Sequence, residues 1–388
     1  MEIAHYPKRL LRITLKSQLK TETKVEVIYK QLRDLAFTQG PSTKLPTIRQ
    51  LCDQLATTRV TLSEALNKLE AEQILYRRER QGIFVSPTIY HKSIGILFDS
   101  SLLAGHAASP FWSMLWISLE QEAQQRSTYR NEICTFHFVK PANDNGSLFP
   151  PEISEMVEAR KFHGLLTIGA NLCENMDNQQ PSTPNVSFAA IGHWNVTLDT
   201  RELGRLATIT LVQQNCKRIG IWTPVLPQPY TADEEPIQAM RQVLNERKIP
   251  YFPEFTRQSY FPPSQTSLTL QEQGYLLAKE VFGSFNPVKP DGIFIANDMM
   301  TDGALVALDE LDIQIGHDVQ IVTHANTGSP ILFGRTKNMT VYEFDPTHIV
   351  QAMFSLLDKL MMDPDLPETM ISLRPHLRQL SPFSATKK

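Results

Sequence analysis

The residues best placed to do chemistry lie in "LATTRVTLSEALNKLEAE", Leu55 to Glu72. Leu62, Ala65, Leu66 and Leu69 recur at helical spacing and predict an apolar face packed into a core, with Arg59, Thr61, Ser63 and Asn67 left elsewhere. Arg59 falls in the first turn, where the helix dipole disfavours a cation. A negatively charged partner outside the helix therefore explains it better than helix stability does. Thr57 or Thr58 can cap that terminus, and its backbone amides suit a phosphate. With the hydroxyls of Thr61 and Ser63 close by, this polar set matches a helix that enters the major groove while its leucines stay on the core.

Catalytic patterns are missing by comparison. The chain has no Gly-x-x-x-x-Gly-Lys-Ser phosphate cradle, no Gly-x-Gly-x-x-Gly dinucleotide turn, no His-Glu-x-x-His and no Gly-x-Ser-x-Gly elbow. We therefore expect a protein that is not an enzyme. Cys52, Cys134, Cys173 and Cys216 lack the short spacing of a zinc site or a disulfide framework, so neither a metal nor another cofactor is expected. His193 and His324 each fall near the end of an apolar run, where an exposed group could touch a ligand; a structural histidine is the alternative at both.

The elements that must position these residues divide into two textures. Residues 1–90 carry a net charge of +6 and the remainder −9, a basic head on an acidic body that favours a polyanion at one end. Within the head, Lys24–Phe37 and Ile48–Leu55 have helical apolar spacing and Arg59–Glu72 is the third helix. "ILYRRERQGIFV" then reads as two short strands around a charged turn, which completes a winged helix-turn-helix. Past Pro87 the pattern changes to apolar strands alternating with helical spans, from "SIGILF" to His348–Met362. Such alternation predicts parallel sheets covered by helices, and nearly 300 residues of it predict two lobes. We expect domains at 1–90 and 91–388, in an α/β chain without a signal peptide or membrane span, at home in a reducing cytoplasm.

The block "KLPTIRQLCDQLATTRVTLSEALNKLEAEQILYRRERQGIFVSP" resembles the DNA-binding domain of GntR-type bacterial transcription regulators. The likeness is carried by the Leu-Pro start, Arg49 three residues after the proline, Thr58-Arg59-x-Thr61 with Ala65-Leu66, the Leu69-Glu70 pair and the wing Gly82-x-Phe84-Val85. It implies that Arg49 reaches phosphate and Arg59 base edges or phosphates. Thr58 and Thr61 would add hydroxyl contacts, and Gln81 and Gly82 would enter the minor groove beside Arg77, Arg78 and Arg80. Ser63 stands where many members have an arginine, so one bidentate contact is absent.

Residues 92–376 resemble the sugar-sensing domain of LacI-type regulators and the related periplasmic binding proteins, through "SIGILFDS", "SPFWSMLWISLEQEAQQR", "HWNVTLDTRELGRLATITLVQQNCKRIGIW" and "PDGIFIANDMMTDGALVALDELDIQIGHDVQIVTHANTG". The combination is similar to the arabinose-responsive repressors of Gram-positive bacteria. It implies two Rossmann-like lobes joined by three crossovers, a small molecule in the cleft and side-by-side pairing of two subunits. Asp99, Phe111 and Asp298 match ligand-contacting positions, each with a structural alternative, and Asn326 stands near an expected acid. A usual sugar-binding arginine is replaced by Glu234, Glu235 and Pro236, and the usual Gly-Phe-Asp-Asp by "THANTG". These losses of charge point to a cleft that has changed its ligand or lost ligand control. Asp199 reads as a helix cap or a domain-contact residue, and Trp112, Leu115, Trp116 and Leu119 as partly subunit interface.

The expectation is thus a dimeric DNA-binding regulator, a repressor on a palindromic operator, with a sugar or other small-molecule effector. The alternative is a ligand-binding protein whose head serves protein interaction.

Overall fold

In the computed structural model, residues 23–103, 109–139, 151–158, 161–170, 183–190, 192–225, 235–260, 268–283 and 288–379 are described. The chain divides into two compact units, Met1–Tyr90 and His91–Lys388. Cys173, most of "VLPQPYTADEEP" and most of "SYFPPSQTS" lie outside the described residues, as does Glu234.

In the first unit, α1 (Lys24–Gln39), α2 (Ile48–Gln54) and α3 (Arg59–Ala71) are followed by β1 (Leu75–Arg78) and β2 (Gly82–Val85). Reciprocal capping boxes, Thr23 with Glu26 and Thr47 with Gln50, start the first two helices, and Thr58 caps the third. Leu32, Leu51, Leu62, Leu66 and Leu69 are at most 1% exposed, which fixes the inward side of α3. Truncating one of these leucines to alanine removes about 2–5 kcal/mol. Strands β1 and β2 pair antiparallel from Leu75 with Val85 to Arg78 with Gly82. A bridge from Lys44 to Phe84 adds a third segment to the wing.

The second unit holds two six-stranded sheets. The first contains β3 (Lys92–Asp99), β4 (Glu132–Val139), β5 (Gly164–Ile168), β6 (Asn185–Phe188) and β7 (Trp194–Leu198), covered by α4 (Pro110–Tyr129) and α5 (Pro151–Glu158). The chain then crosses through α6 (Thr200–Gln213) to β8 (Ile219–Val225), α7 (Glu235–Glu246), β9 (Thr256–Tyr260) and α8 (Leu270–Phe282). It continues through β10 (Gly292–Ile295), α9 (Asp298–Glu310), β11 (Gln320–Asn326) and β12 (Met339–Phe344). Helix α10 (Pro346–Met362) and β13 (Thr369–Leu373) return to the first lobe, and β14 (His376–Leu377) ends in the second. The strand orders are β13-β7-β6-β5-β3-β4 and β14-β12-β11-β10-β8-β9. Every pairing in them is parallel except β12 with β14. Three crossings therefore join the lobes, at Asp199, Asp345 and Arg374.

Where the order reverses in each sheet, beside β3 and beside β8, the carboxyl ends of neighbouring strands diverge into crevices that suit a ligand. Interior rows of Ile94, Ile96 and Phe98 in one lobe and Ile219, Ile221 and Phe294 in the other are at most 1% exposed and hold those edges rigid. The cysteines do not pair among the described residues. Burial pushes the Cys134 thiol up to about 12 and that of Cys216 up to about 11, which suppresses thiolate chemistry at both.

Candidate nucleic-acid interface and ligand cleft

On the head, Arg49 lies in the first turn of α2 and Arg59 begins α3, both exposed and neither paired with a carboxylate among the described residues. Thr58 Oγ1 and Thr61 Oγ1 lie 3.0 Å apart, one hydroxyl donating to the other, while the Thr61 amide donates to Thr58 Oγ1 at 3.4 Å. Thr61 is thus half-buried against its own cap, whereas Ser63 is exposed.

The wing arginines, grouped together by sequence, have three different fates. Arg77 is held by α3: its Nε is 2.7 Å from Glu70 Oε1, and Nη2 donates to Asn67 Oδ1 at 2.9 Å. The Arg78 guanidinium lies 5.4 Å from the Tyr76 ring centre and 5.1 Å from that of Phe84, across a stacked ring pair. Arg80 sits at the tip with φ 60° beside Gln81 and Gly82, all three exposed. Gly82 adopts φ 115°, a backbone conformation that calls for glycine, and a Cβ there would lie 3.1 Å from Lys44 Cε. Lys44 therefore adds a cation to the wing tip that its place in the sequence, before the Leu-Pro pair, did not disclose.

In the body, Asp99 ends β3 and is 5% exposed, its Oδ1 accepting from the Ser101 amide at 2.8 Å. Phe111 packs at 4.8 Å from Trp112 and 6.1 Å from Phe188 in an aromatic wall on the first lobe's core. Asp298 is the first residue of α9, and the cap is Asn297, whose side chain accepts from the Met300 amide at 3.0 Å. Asp298 itself is 2% exposed and accepts from the Met299 amide at 2.9 Å and from the Ser329 hydroxyl at 2.7 Å.

His193 needs correction. It precedes β7 rather than closing a strand, which puts it at the amino edge of the sheet, away from the crevice, where its Nδ1 lies 2.7 Å from Glu368. His324 belongs to the carboxyl half of β11, and by strand register it shares a row with Thr223, two residues before Asn326 on the same face. Thr223 Oγ1, His324 Nε2, Asn326 Oδ1 and the adjoining Thr327 Oγ1 are buried without a hydrogen-bond partner among the described residues. Unsatisfied polar atoms of this kind are costly unless water or a ligand fills them. Burial holds the His324 imidazole below its ordinary value, against the opposing pull of Asp298, so the row presents neutral hydroxyl, imidazole and amide groups. Sequence singled out His324 and Asn326 but missed Thr223, Thr327 and Ser329, which carry no motif: strand register puts Thr223 in the row of His324, and Ser329 reaches Asp298 only in the fold. No cluster with the composition of a metal site occurs among the described residues.

A helix-and-wing unit with exposed arginines, followed by a two-lobed unit built on two largely parallel sheets, fits a DNA-binding transcription regulator with an effector-type body. Residues 24–85 match the family model described as bacterial regulatory proteins, gntR family, and residues 196–379 match the periplasmic binding protein-like domain. The chain is 21% identical over 350 residues to an HTH-type transcriptional repressor PurR of Photorhabdus laumondii subsp. laumondii, covering 86% of this chain and 95% of that one. It is similar in fold to a transcriptional regulator CelR–cellobiose complex (TM-score 0.55, 16% identity, 86% of this chain and 99% of that chain). A LacI family transcriptional regulator from Enterococcus faecium with bound ribose has the same fold (TM-score 0.53, 18% identity, 74% and 97%).

Proposed function

We propose that the protein is a cytoplasmic homodimeric repressor that binds a roughly palindromic operator and responds to a small molecule between its lobes. The observation that carries this reading is the head: Arg49, Arg59 and Arg80 are exposed on a helix-and-wing unit of the gntR type, with Lys44 beside Gly82. Arg59 at the start of α3 would meet base edges or phosphate, with Thr58 holding the helix terminus. Arg80, Gln81 and Gly82 would follow the minor groove. Two heads on a two-fold axis would read two half-sites.

Pairing would bury apolar side chains on α4 and the edge strand β4, where Ile117 is 52% and Phe138 53% exposed. For the effector, Thr223, His324, Asn326 and Thr327 favour a neutral molecule rich in hydrogen-bonding groups. Asp298, already engaged by Ser329, would accept from one of its hydroxyls after that serine moves aside. A ligand controls the heads only through a difference in its affinity for open and closed lobes.

Selection of duplexes from a randomised library by the full-length chain, with its mass in solution recorded, tests the reading. A two-fold consensus bound by a dimer, with affinity falling steeply in salt, is expected. Absence of duplex preference at low salt overturns the assignment. Titration with a panel of common pentoses and hexoses tests the altered cleft, and tight binding of an ordinary sugar would sink the claim that its ligand has changed.

A further inference from the structure

Val60 is 77% exposed, well above the other large apolar residues of the head, where Tyr90 reaches 50% and Val27 39%. A helix advances about 100° per residue, so the buried Leu62, Ala65, Leu66 and Leu69 of α3 fix its inward direction. Val60 points almost opposite to it, along a strip continued by Ser63, Glu64 and Asn67, all exposed. A β-branched residue in the first turn gains nothing for helix propensity. Its isopropyl group instead crowns the outward face one residue after Arg59.

Resting on the reading of α3 as the helix that enters the major groove, we propose that Val60 determines specificity by packing on the C5-methyl group of a pyrimidine. Among the base edges of that groove, thymine alone of the unmodified bases presents a methyl, and 5-methylcytosine presents the same group. The neighbouring side chains on the strip are polar or charged, which leaves Val60 as the apolar reader.

The probe is the duplex enriched by the full-length chain, resynthesised with deoxyuridine in place of each thymidine in turn and, separately, with 5-methylcytosine in place of each cytosine. Wild-type protein should lose about fourfold in affinity at one thymidine per recognition site, the equivalent of ~0.8 kcal/mol for one buried carbon. Val60→Ala, a change at an exposed position that leaves the core untouched, should bind the thymidine and deoxyuridine duplexes equally there and keep its discrimination elsewhere. A gain at one 5-methylcytosine that Val60→Ala abolishes, in place of a thymidine loss, supports the contact with the modified base as its source. No methyl effect in wild type, or the same effect in Val60→Ala, overturns the proposal while the DNA-binding reading stands. Failure to enrich any duplex overturns both.

Discussion

Arg77 of the wing and Glu70 of α3 form an ion pair, with Nε 2.7 Å from Oε1. The same arginine donates to Asn67, so a residue that in sequence belongs to the wing's basic cluster also fastens the wing to α3. Its charge is already matched before any DNA arrives. Arg77→Ala should therefore leave the slope of log affinity against log salt unchanged, whereas Arg59→Ala should reduce it by about 0.9 for each phosphate that Arg59 neutralises. Ser63→Ala should weaken operator binding far less than Arg59→Ala. Equal slopes for the two arginine variants in a salt titration would show that Arg77 reaches the backbone after all.

Arg126, 4% exposed, joins α4 to β4 and α10 through Glu122 and Glu132 at 2.9 Å and Asp358 at 3.0 Å, over the Phe354 ring at 4.2 Å. Removing the guanidinium strands Glu132 as a buried, unpaired carboxylate. Arg126→Met should cost about 3–5 kcal/mol in urea unfolding. The double change Arg126→Met with Glu132→Gln should recover part of it, because the stranded charge goes too. No recovery would mean that packing around Phe354, not charge, dominates.

Helices α8 and α9 touch backbone to backbone through Gly274 and Gly303: a methyl at Gly303 would run into the Gln271 carbonyl oxygen, and one at Gly274 into that of Met300. Alanine is the better helix former by about 1 kcal/mol. Gly303→Ala should nonetheless destabilise the body by about 1–3 kcal/mol, since the helices must separate and loosen the packing of Met300 and Leu308. A raised melting temperature would show that the crossing has room.

His324 is held below its ordinary value by burial. In the folded chain it stays neutral, while the unfolded chain takes up its proton as pH falls through about 6.5. The stability that neutrality confers is complete above that pH and is lost below it, towards the lower folded value. His324→Gln, neutral at every pH, should flatten the fall in urea midpoint between about pH 7.5 and 5.5 relative to wild type. Identical curves would place the pH dependence elsewhere.

Much of this was legible in one dimension. The head's helices and wing follow from local spacing, caps and turns. Most body helices announced themselves through apolar periodicity. Strand β9, "TRQSY", was not legible, because an edge strand pairs through its backbone and needs no apolar run. Strand β13 alternates half-buried and exposed along the other lobe's edge for the same reason. The site divides similarly: Arg59 and Asp298 stood out by motif, while Lys44 beside Gly82 and Ser329 against Asp298 became neighbours only through folding.

By itself, the sequence determined a basic gntR-type head, a body of alternating strands and helices, and the chemical types available at each strand end, because these depend on residues close in the chain. Only the tertiary structure decided which of those groups are already satisfied. Arg77 is matched by Glu70 and His193 by Glu368, whereas Thr223, His324 and Asn326 share one face of the sheet with polar atoms unmatched among the described residues. Hydrogen bonds and ion pairs join residues far apart in sequence, so whether a side chain is spent or available is a property of the fold.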